Sequence, residues 1–412
     1  MLPAAAWSVV VAALVAILLL RGRRRCRHVS WAEPAEEKQE EEEAVAQLGA
    51  EQLMQSVEAM RAHARDDRLL EAGDLLKSLR LGIASAPGSK AAKAAAAELE
   101  EEVRPGMSAS ELRRRHTECK ETLRLLRRPT QDDGGDGDGG WRLLSRHAGT
   151  ETFVRRSADG MLWAKATGEV GGGGGGGGRG GGSGGRGGGA PPVPLMRVLA
   201  LFREVQLFRE WYPHCVESET LAAPAQCERL FRMVMSVRVP LFGTVRYDLV
   251  PHAYGVDALE GHGCFVVCGR SATQLEWLRV AFPRPPEGGA RQQLAALRLV
   301  ITPLPGGRTH ASVATAVDLS KTPAAALLPQ WTIDWLISHI IGKLFSAQAA
   351  CAQRMHDAPE ASAHLRAIAA DGDFYDGWLQ PRVDAAVEAA ERGAAAAEGE
   401  WVDVGAPSDA AG

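Results

Sequence analysis

Three soft ligands, His262, Cys264 and Cys268, crowd the ten-residue segment HGCFVVCGRS. Zinc takes thiolates at about 2.3 Å. The segment reads as a strand, and four residues of strand span roughly 13 Å, so Cys264 and Cys268 do not close on one ion. No metal is expected and no cofactor either. Outside the Gly tract at 171–189 the sequence carries no G-x-S-x-G elbow, and it has no H-E-x-x-H and no phosphate loop. Cys215 and Cys227 read as ordinary core thiols. Tyr247, Asp248 and His252, in GTVRYDLVPH, have the side chains of a general acid–base group. They would serve an enzyme only if the fold turned them into one cavity.

Seven Cys in 412 residues are too few and scattered for a disulfide scaffold. The net charge of −4 argues against a surface built for nucleic acid. Residues 171–189 hold 16 Gly and two Arg with no aromatics between them. They lack the Lys-Ser/Thr of a phosphate loop and read as a flexible loop. Such an insertion between two elements costs little, because closure entropy grows slowly with length.

Residues 2–20, including WSVVVAALVAILLL, carry no charge, and five Arg follow between Arg21 and Arg27. That length just spans a hydrocarbon core of about 30 Å. Positive charge after the apolar run, not before it, places the bulk of the chain in the cytosol. A single-pass anchor over 1–30 is expected, in the endoplasmic reticulum or another endomembrane, with a cleaved leader as the alternative. An acidic linker, 31–43, follows.

Residues 44–130 read as helical and as a spacer or small bundle. Val45, Leu48, Leu53, Val57 and Met60 recur at helical spacing, SAPGS at 85–89 breaks the run, and Ser108 with Glu111 forms a capping box. Residues 131–140 are a linker. The folded core is 141–355. WRLLSRH, ETFVRRS and GMLWAKATGEV are short strands, and the last two form a hairpin around Asp159-Gly160. Leu195 to Trp211 reads as one bent helix or two short ones. In CERLFRMVMSVRV the odd positions Phe231, Met233, Met235, Val237 and Val239 are apolar and the even ones mostly polar, the period-2 pattern of a half-buried strand. Val245, Tyr247 and Leu249 alternate with Arg246 and Asp248 in the same way. Further strands are HGCFVVCGRS, QQLAALRLVITPL and THASVATAVDLS, and the short connections imply an antiparallel sheet. A long helix closes the core, from about Pro329 to Gln353, with Ile333, Ile337, Ile340, Ile341 and Leu344 on one side. The class is therefore α+β.

The run ETFVRRSADGMLWAKATGEV, LFREVQLFREWYPHCVESETL, VPLFGTVRYDLVPHAYGVDAL, VITPLPGGRTHASVATAVDLS and LPQWTIDWLISHIIGKLF resembles a START (steroidogenic-acute-regulatory-related lipid transfer) domain over about 141–350. The carrying pieces are Trp211-Tyr212-Pro213, the P-L-F-G-x-x-R-Y-D-L strand, and Asp318 followed by Leu328-Pro329-Gln330-Trp331. The Gly tract departs from the family by inflating a short connection, and 109–128 would supply the helix that opens the domain. The resemblance implies a helix-grip fold, a curved antiparallel sheet wrapped around the long C-terminal helix, enclosing one lipid in an apolar tunnel. The lipid would be a sterol, a phospholipid or a similar molecule. Lining would come from Trp211, Phe231, Met233, Met235, Val245, Tyr247, Leu249, Ile333, Ile337, Ile340, Ile341 and Leu344. Arg246, Asp248 and His252 would be headgroup contacts if they turn inward, although alternation points them to solvent. Polyketide cyclases and aromatases share the architecture, so an enzyme is one alternative and a ligand-free tethered scaffold another.

The tail, 356–412, has twelve Asp/Glu against three Lys/Arg and much Ala and Gly, so partial disorder is expected. Within it, DGDFYDGWL at 371–379 loosely resembles the "two phenylalanines in an acidic tract" motif that docks proteins onto a receptor of the endoplasmic-reticulum membrane. The competing reading is an amphipathic turn packed on the domain.

Overall fold

The computed structural model describes residues 50–402, apart from 87, 127–139, 148, 158–160, 171–192, 240–242, 275, 278, 288–289 and 319–329. The expected anchor with its basic flank, the acidic linker and the Gly tract lie outside those residues. Among the described residues no helix is long and apolar enough to cross a membrane.

Four helices open the described chain: α1 Ala50–Arg65, α2 Leu69–Ser85, α3 Lys90–Glu100 and α4 Ala109–Leu126. The stops and starts follow local chemistry. Ser89 Oγ accepts from Ala92 N at 2.9 Å and Ser108 Oγ from Glu111 N at 3.2 Å, which supplies two of the N-terminal amides with acceptors. Leu53, Val57, Met60 and Ala64 recur three or four residues apart on α1 and are all buried. Helices α2 and α4 cross closely at Gly73, where a Cβ would stand 2.3 Å from His116 Cγ.

Among the described residues the sheet has eleven strands: β1 Arg142–His147, β2 Thr150–Arg156, β3 Met161–Val170, β4 Cys215–Ala225, β5 Glu228–Val239, β6 Gly243–Leu249, β7 Pro251–Ala258, β8 Cys264–Ser271, β9 Ala290–Arg291, β10 Ala296–Leu304 and β11 Arg308–Asp318. Their order is β1-β2-β3-β11-β10-β8-β7-β5-β6-β9, with β4 also on β5. Pairing is antiparallel except for β6 with β9. As expected, β2 and β3 form a hairpin-like pair, and residues 305–307 turn the chain between β10 and β11. The bent helix is α5 Leu195–Arg203 and α6 Phe208–Trp211, joined by a short 3₁₀ turn. A short helix, α7 Leu259–His262, links β7 to β8. The long helix, α8, runs Gln330–Asp357 and lies against β1, β2, β3 and α5.

The sheet is covered on both faces. On the front, Phe231, Met233 and Met235 of β5, Phe265 of β8, Leu299 and Ile301 of β10 and Val313 of β11 pack with α5, α6 and α8. On the back, Tyr254 and Val256 of β7 and Cys264, Val266 and Cys268 of β8 pack with α1, α2 and α4. The helical region is thus no spacer. It is the second cover of the sheet, because β7 and β8 are apolar on both sides.

The tail also differs from expectation. Helix α9 Ala363–Ala370, a π-helical turn Asp373–Leu379 and α10 Gln380–Val402 continue the fold. Phe374, Tyr375, Leu379, Val383 and Ala386 join the front core. Its acidity hid a narrow apolar stripe at helical spacing. The receptor-docking reading fails on the same ground: Phe374 is 6% and Tyr375 0% exposed, and the Tyr375 hydroxyl donates to Glu204 at 2.6 Å.

Charge bridges the back seam. Glu228, at the start of β5, accepts from Arg115 through both Nη atoms at 2.8 and 2.7 Å and from Arg104 Nη2 at 2.7 Å. His252 Nε2 donates to it at 2.7 Å. Burial opposes the charge on Glu228, but the His252 and Arg115 hydrogen bonds outweigh it and hold the carboxyl well below its usual range. Removing one member of such a cluster leaves the others buried and unpaired. Glu228→Gln is expected to cost about 3–5 kcal/mol in denaturant unfolding, against under about 1 kcal/mol for the exposed pair Arg146–Glu151.

Burial also works against Asp74 and Glu111, yet hydrogen bonds from His116 and Lys120 to the first, and from Arg114 and Arg115 to the second, hold both at about 2. In the unfolded chain they titrate near 4. Their contribution is whole above that value and is lost as pH falls through about 2. Asp67 and Asp257, pushed up by burial, act in the opposite sense. The thermal midpoint should fall between pH 4.5 and 2, with Glu111→Gln flattening the fall; a midpoint that stays level would contradict this pairing.

Candidate functional site

The front layer holds the aromatic and Met residues that the sequence marked. Trp211 of α6 meets Phe208 edge-on with ring centroids 5.4 Å apart and Phe202 at 5.8 Å. Phe208 meets Phe231 of β5 at 5.5 Å. Met233 and Met235 are buried beside them, Leu249 is half-buried against the cluster, and Leu344 of α8 closes it. The backbone pairs Tyr247 with Met235 and Val245 with Val237. The side chains of Val245, Tyr247, Ile333, Ile337, Ile340 and Ile341 lie outside the described part of the structure.

The three polar candidates face away from this layer. In β6, Asp248 stands opposite Val234 and Arg246 opposite Ser236, on the back side of the sheet. Arg246 is exposed. Asp248 is 0% exposed and is paired with Arg291 at 2.8 Å and Arg232 at 3.5 Å. His252 is 7% exposed and is bound to Glu228. Alternation was right about direction, and right about environment for Arg246; Asp248 and His252 are buried because helices and a long loop cover that face. Asp248 and His252 thus spend their polar atoms on partners on the back, not in the front layer.

A cavity of about 50 Å³ opens in the front layer. It lies between α5 and strands β5, β7 and β8, under the π-helical turn. Its apolar walls are Leu199, Phe202, Phe265, Val267, Phe374 and Leu379. At roughly 10–15 Å³ per water it holds about four, whereas pockets for drug-sized molecules run to roughly 300–1,000 Å³. None of the twelve lining candidates borders it; those described pack in the adjoining core. Gly255 of β7 makes the floor possible: a Cβ there would stand 2.7 Å from Phe265 Cε1 and 3.3 Å from Cys227 Cβ.

Two guanidinium groups meet this apolar space, Arg203 and Arg229. Arg203 ends α5. It donates to Glu204 at 2.7 Å and to Asp371 at 2.7 Å, and its Cζ sits 3.7 Å from the Phe374 ring centroid. Arg229 donates through Nη1 to the carbonyls of Ala225 and Glu228, and among the described residues no carboxylate forms an ion pair with it. Burial, and next the charge on Arg203, push its pKa down.

Arg229 had a visible signal in the sequence. It occupies an odd position of β5 directly before Phe231, Met233 and Met235, a charge on the otherwise apolar face. Arg203 had none, since Arg on an amphipathic helix is ordinary. Phe374 was masked by its acidic surroundings.

No family model matches the chain, and no curated protein does. Several solved structures are similar to it. Human StAR-related lipid transfer protein 5 shares 16% identity over 58% of this chain and 95% of its own, with a TM-score of 0.42. Human STARD10 shares 12% over 61% and 86%, at 0.41. The Zhui aromatase/cyclase from a Streptomyces species shares 12% over 49% and 99%, at 0.30. These likenesses are loose, and what the cavity does follows from its own side chains.

Gly255→Ala should cost about 1–3 kcal/mol by overpacking and drive the Phe265 ring into the cavity. Denaturant unfolding measures the loss; an unchanged midpoint would mean that the ring has room to yield.

Proposed function

We propose that the chain binds a lipid in the front layer, between the sheet and its covering helices, and carries or presents it at a membrane. The observation that supports this most is the make-up of the cavity. Its cover is side chains, Phe374 and Leu379 on one side and Phe265 on the other, and not sheet backbone. Such a cover parts without breaking ladder hydrogen bonds. Moving an acyl chain through water costs about 0.8 kcal/mol per CH₂, so a carrier must offer apolar walls that close again behind the guest, as lids do. The Met-rich stretch of β5 suits irregular guests. In this reading residues 2–20 hold the protein in an endomembrane and the folded part faces the cytosol.

Binding is preferred over catalysis because Asp248 and His252 spend their polar atoms in the back seam. The test places the full chain in donor vesicles carrying a fluorescent sterol, a labelled phospholipid or a labelled fatty acid, and follows transfer to acceptor vesicles. Transfer faster than the protein-free rate is expected for at least one lipid, recovered unchanged. A chemically altered lipid would favour the enzyme. No acceleration with any of them would leave a tethered scaffold. Deletion of 2–20 should release the chain from membranes washed with alkaline carbonate; retention there would overturn the anchor.

A further inference from the structure

Two cationic side chains at an apolar cavity ask for an anion. Arg203 already has two in the chain itself, Glu204 on Nη1 at 2.7 Å and Asp371 on Nη2. Asp371 holds its Nη2 at 2.7 Å, and Phe374 stacks on its guanidinium while lining the same cavity. Leu379, one turn of the π-helical segment further on, lines it too. One short stretch therefore brings a carboxylate to the rim and apolar groups to the interior, the layout of an amphiphile. Arg229 has only carbonyl oxygens on Nη1 and lies close enough to Arg203 for the two charges to oppose each other. A guanidinium so placed gains from a planar or tetrahedral anion, which it binds through paired donors.

We propose that the cavity accepts an amphiphile with an anionic head, a carboxylate or a phosphate monoester, paired to Arg229 and Arg203, and that residues 371–379 occupy that place as a built-in substitute. The inference rests on the lipid-binding reading above and specifies its ligand. The segment and the guest exclude each other, since Phe374 and Leu379 stand where the acyl part must go. Release of the segment frees Arg203 from Asp371 at the same moment, so the head gains its second cation only when the tail has left.

The test uses the full chain in vesicles and matched labelled probes: phosphatidic acid against diacylglycerol, and oleate against oleyl alcohol. The wild type should transfer the anionic member of one pair at least tenfold faster than its neutral partner; the pair that responds identifies phosphate or carboxylate. Arg229→Gln should lose that preference while neutral transfer stays level, and Arg229→Lys should keep part of it. The double variant Asp371→Asn/Phe374→Ala should raise anionic transfer severalfold. Thermal midpoints and near-ultraviolet circular dichroism confirm that each variant is folded. Equal transfer of charged and neutral partners, untouched by Arg229→Gln, would overturn the head assignment while leaving lipid carriage intact. A double variant no faster than wild type would overturn the substitute. If neither wild type nor double variant moves any lipid, the broader reading falls with it.

Discussion

A sheet that is apolar on both faces cannot stand with only one cover. Strands β7 and β8 impose this: Phe265 and Val267 point forward, while Tyr254, Val256, Val266 and Cys268 point back. Leaving either set in water would forfeit about 25 cal/mol for each Å² of apolar surface. The helical region must therefore dock on the back, and α5, α8 and the tail on the front. Gly73 and Gly255 are the places where this double covering becomes tight, one between two helices and one beneath the cavity.

The back seam is where the covering meets charge. Glu228, Arg104, Arg115 and His252 are all buried there, and Glu118 joins Tyr254 at 2.6 Å and Arg298 at 2.6 Å nearby. Taking such ions from water costs several kcal/mol each, which pairing roughly repays. The cluster adds little net stability over an apolar seam. What it adds is register: Arg115 of α4 forks onto Glu228 through both Nη atoms, a geometry that a helix shifted by one turn could not keep. Asp67, at φ 57°, holds the turn after α1 so that its carbonyl accepts from Asp257 N at 3.0 Å, which fixes the helices against β7.

Much of this was legible from the sequence. The antiparallel pairing, the β2–β3 hairpin, the turn at 305–307, the bent helix at 195–211 and the capping box at Ser108 follow from period and punctuation, which are local; the strand order and strand β4 do not. The environment of the polar strand positions was not. Asp248 and His252 alternate with apolar neighbours as solvent-facing residues do, and nothing nearby announces that Arg291, or Glu228 with Arg115 behind it, will bury them. Cys268 shows the same limit: its sulfur meets Thr122 at 3.3 Å across the seam, a partner 146 residues away. Composition misled in the tail, because acidic and Ala-rich averages conceal the few apolar residues that decide whether a helix docks.

The tail also shows why docking need not be permanent. Its polar ties include the ion pairs Arg203–Asp371, Arg382–Asp66 at 2.5 Å and Arg382–Asp257 at 3.1 Å, with Asp371 nearly half exposed, and the hydrogen bonds from Tyr375 to Glu204 and from Trp378 to Asp66, both at 2.6 Å. Partly exposed pairs of this kind contribute at most about 1 kcal/mol each. The firmer hold is burial of Phe374, Tyr375 and Leu379, about 1.5–3 kcal/mol apiece. An acyl chain entering the same space gains about 0.8 kcal/mol per CH₂, so roughly six to eleven methylenes match what the three side chains lose. The π-helical turn bears on this, because its wider ladder is less well bonded than an α-helix and such turns gather at functional sites. Occupant and guest are thus close in energy, and the balance between them is set by a few groups at the rim, chiefly by whether Arg203 and Arg229 find a better anion than Asp371.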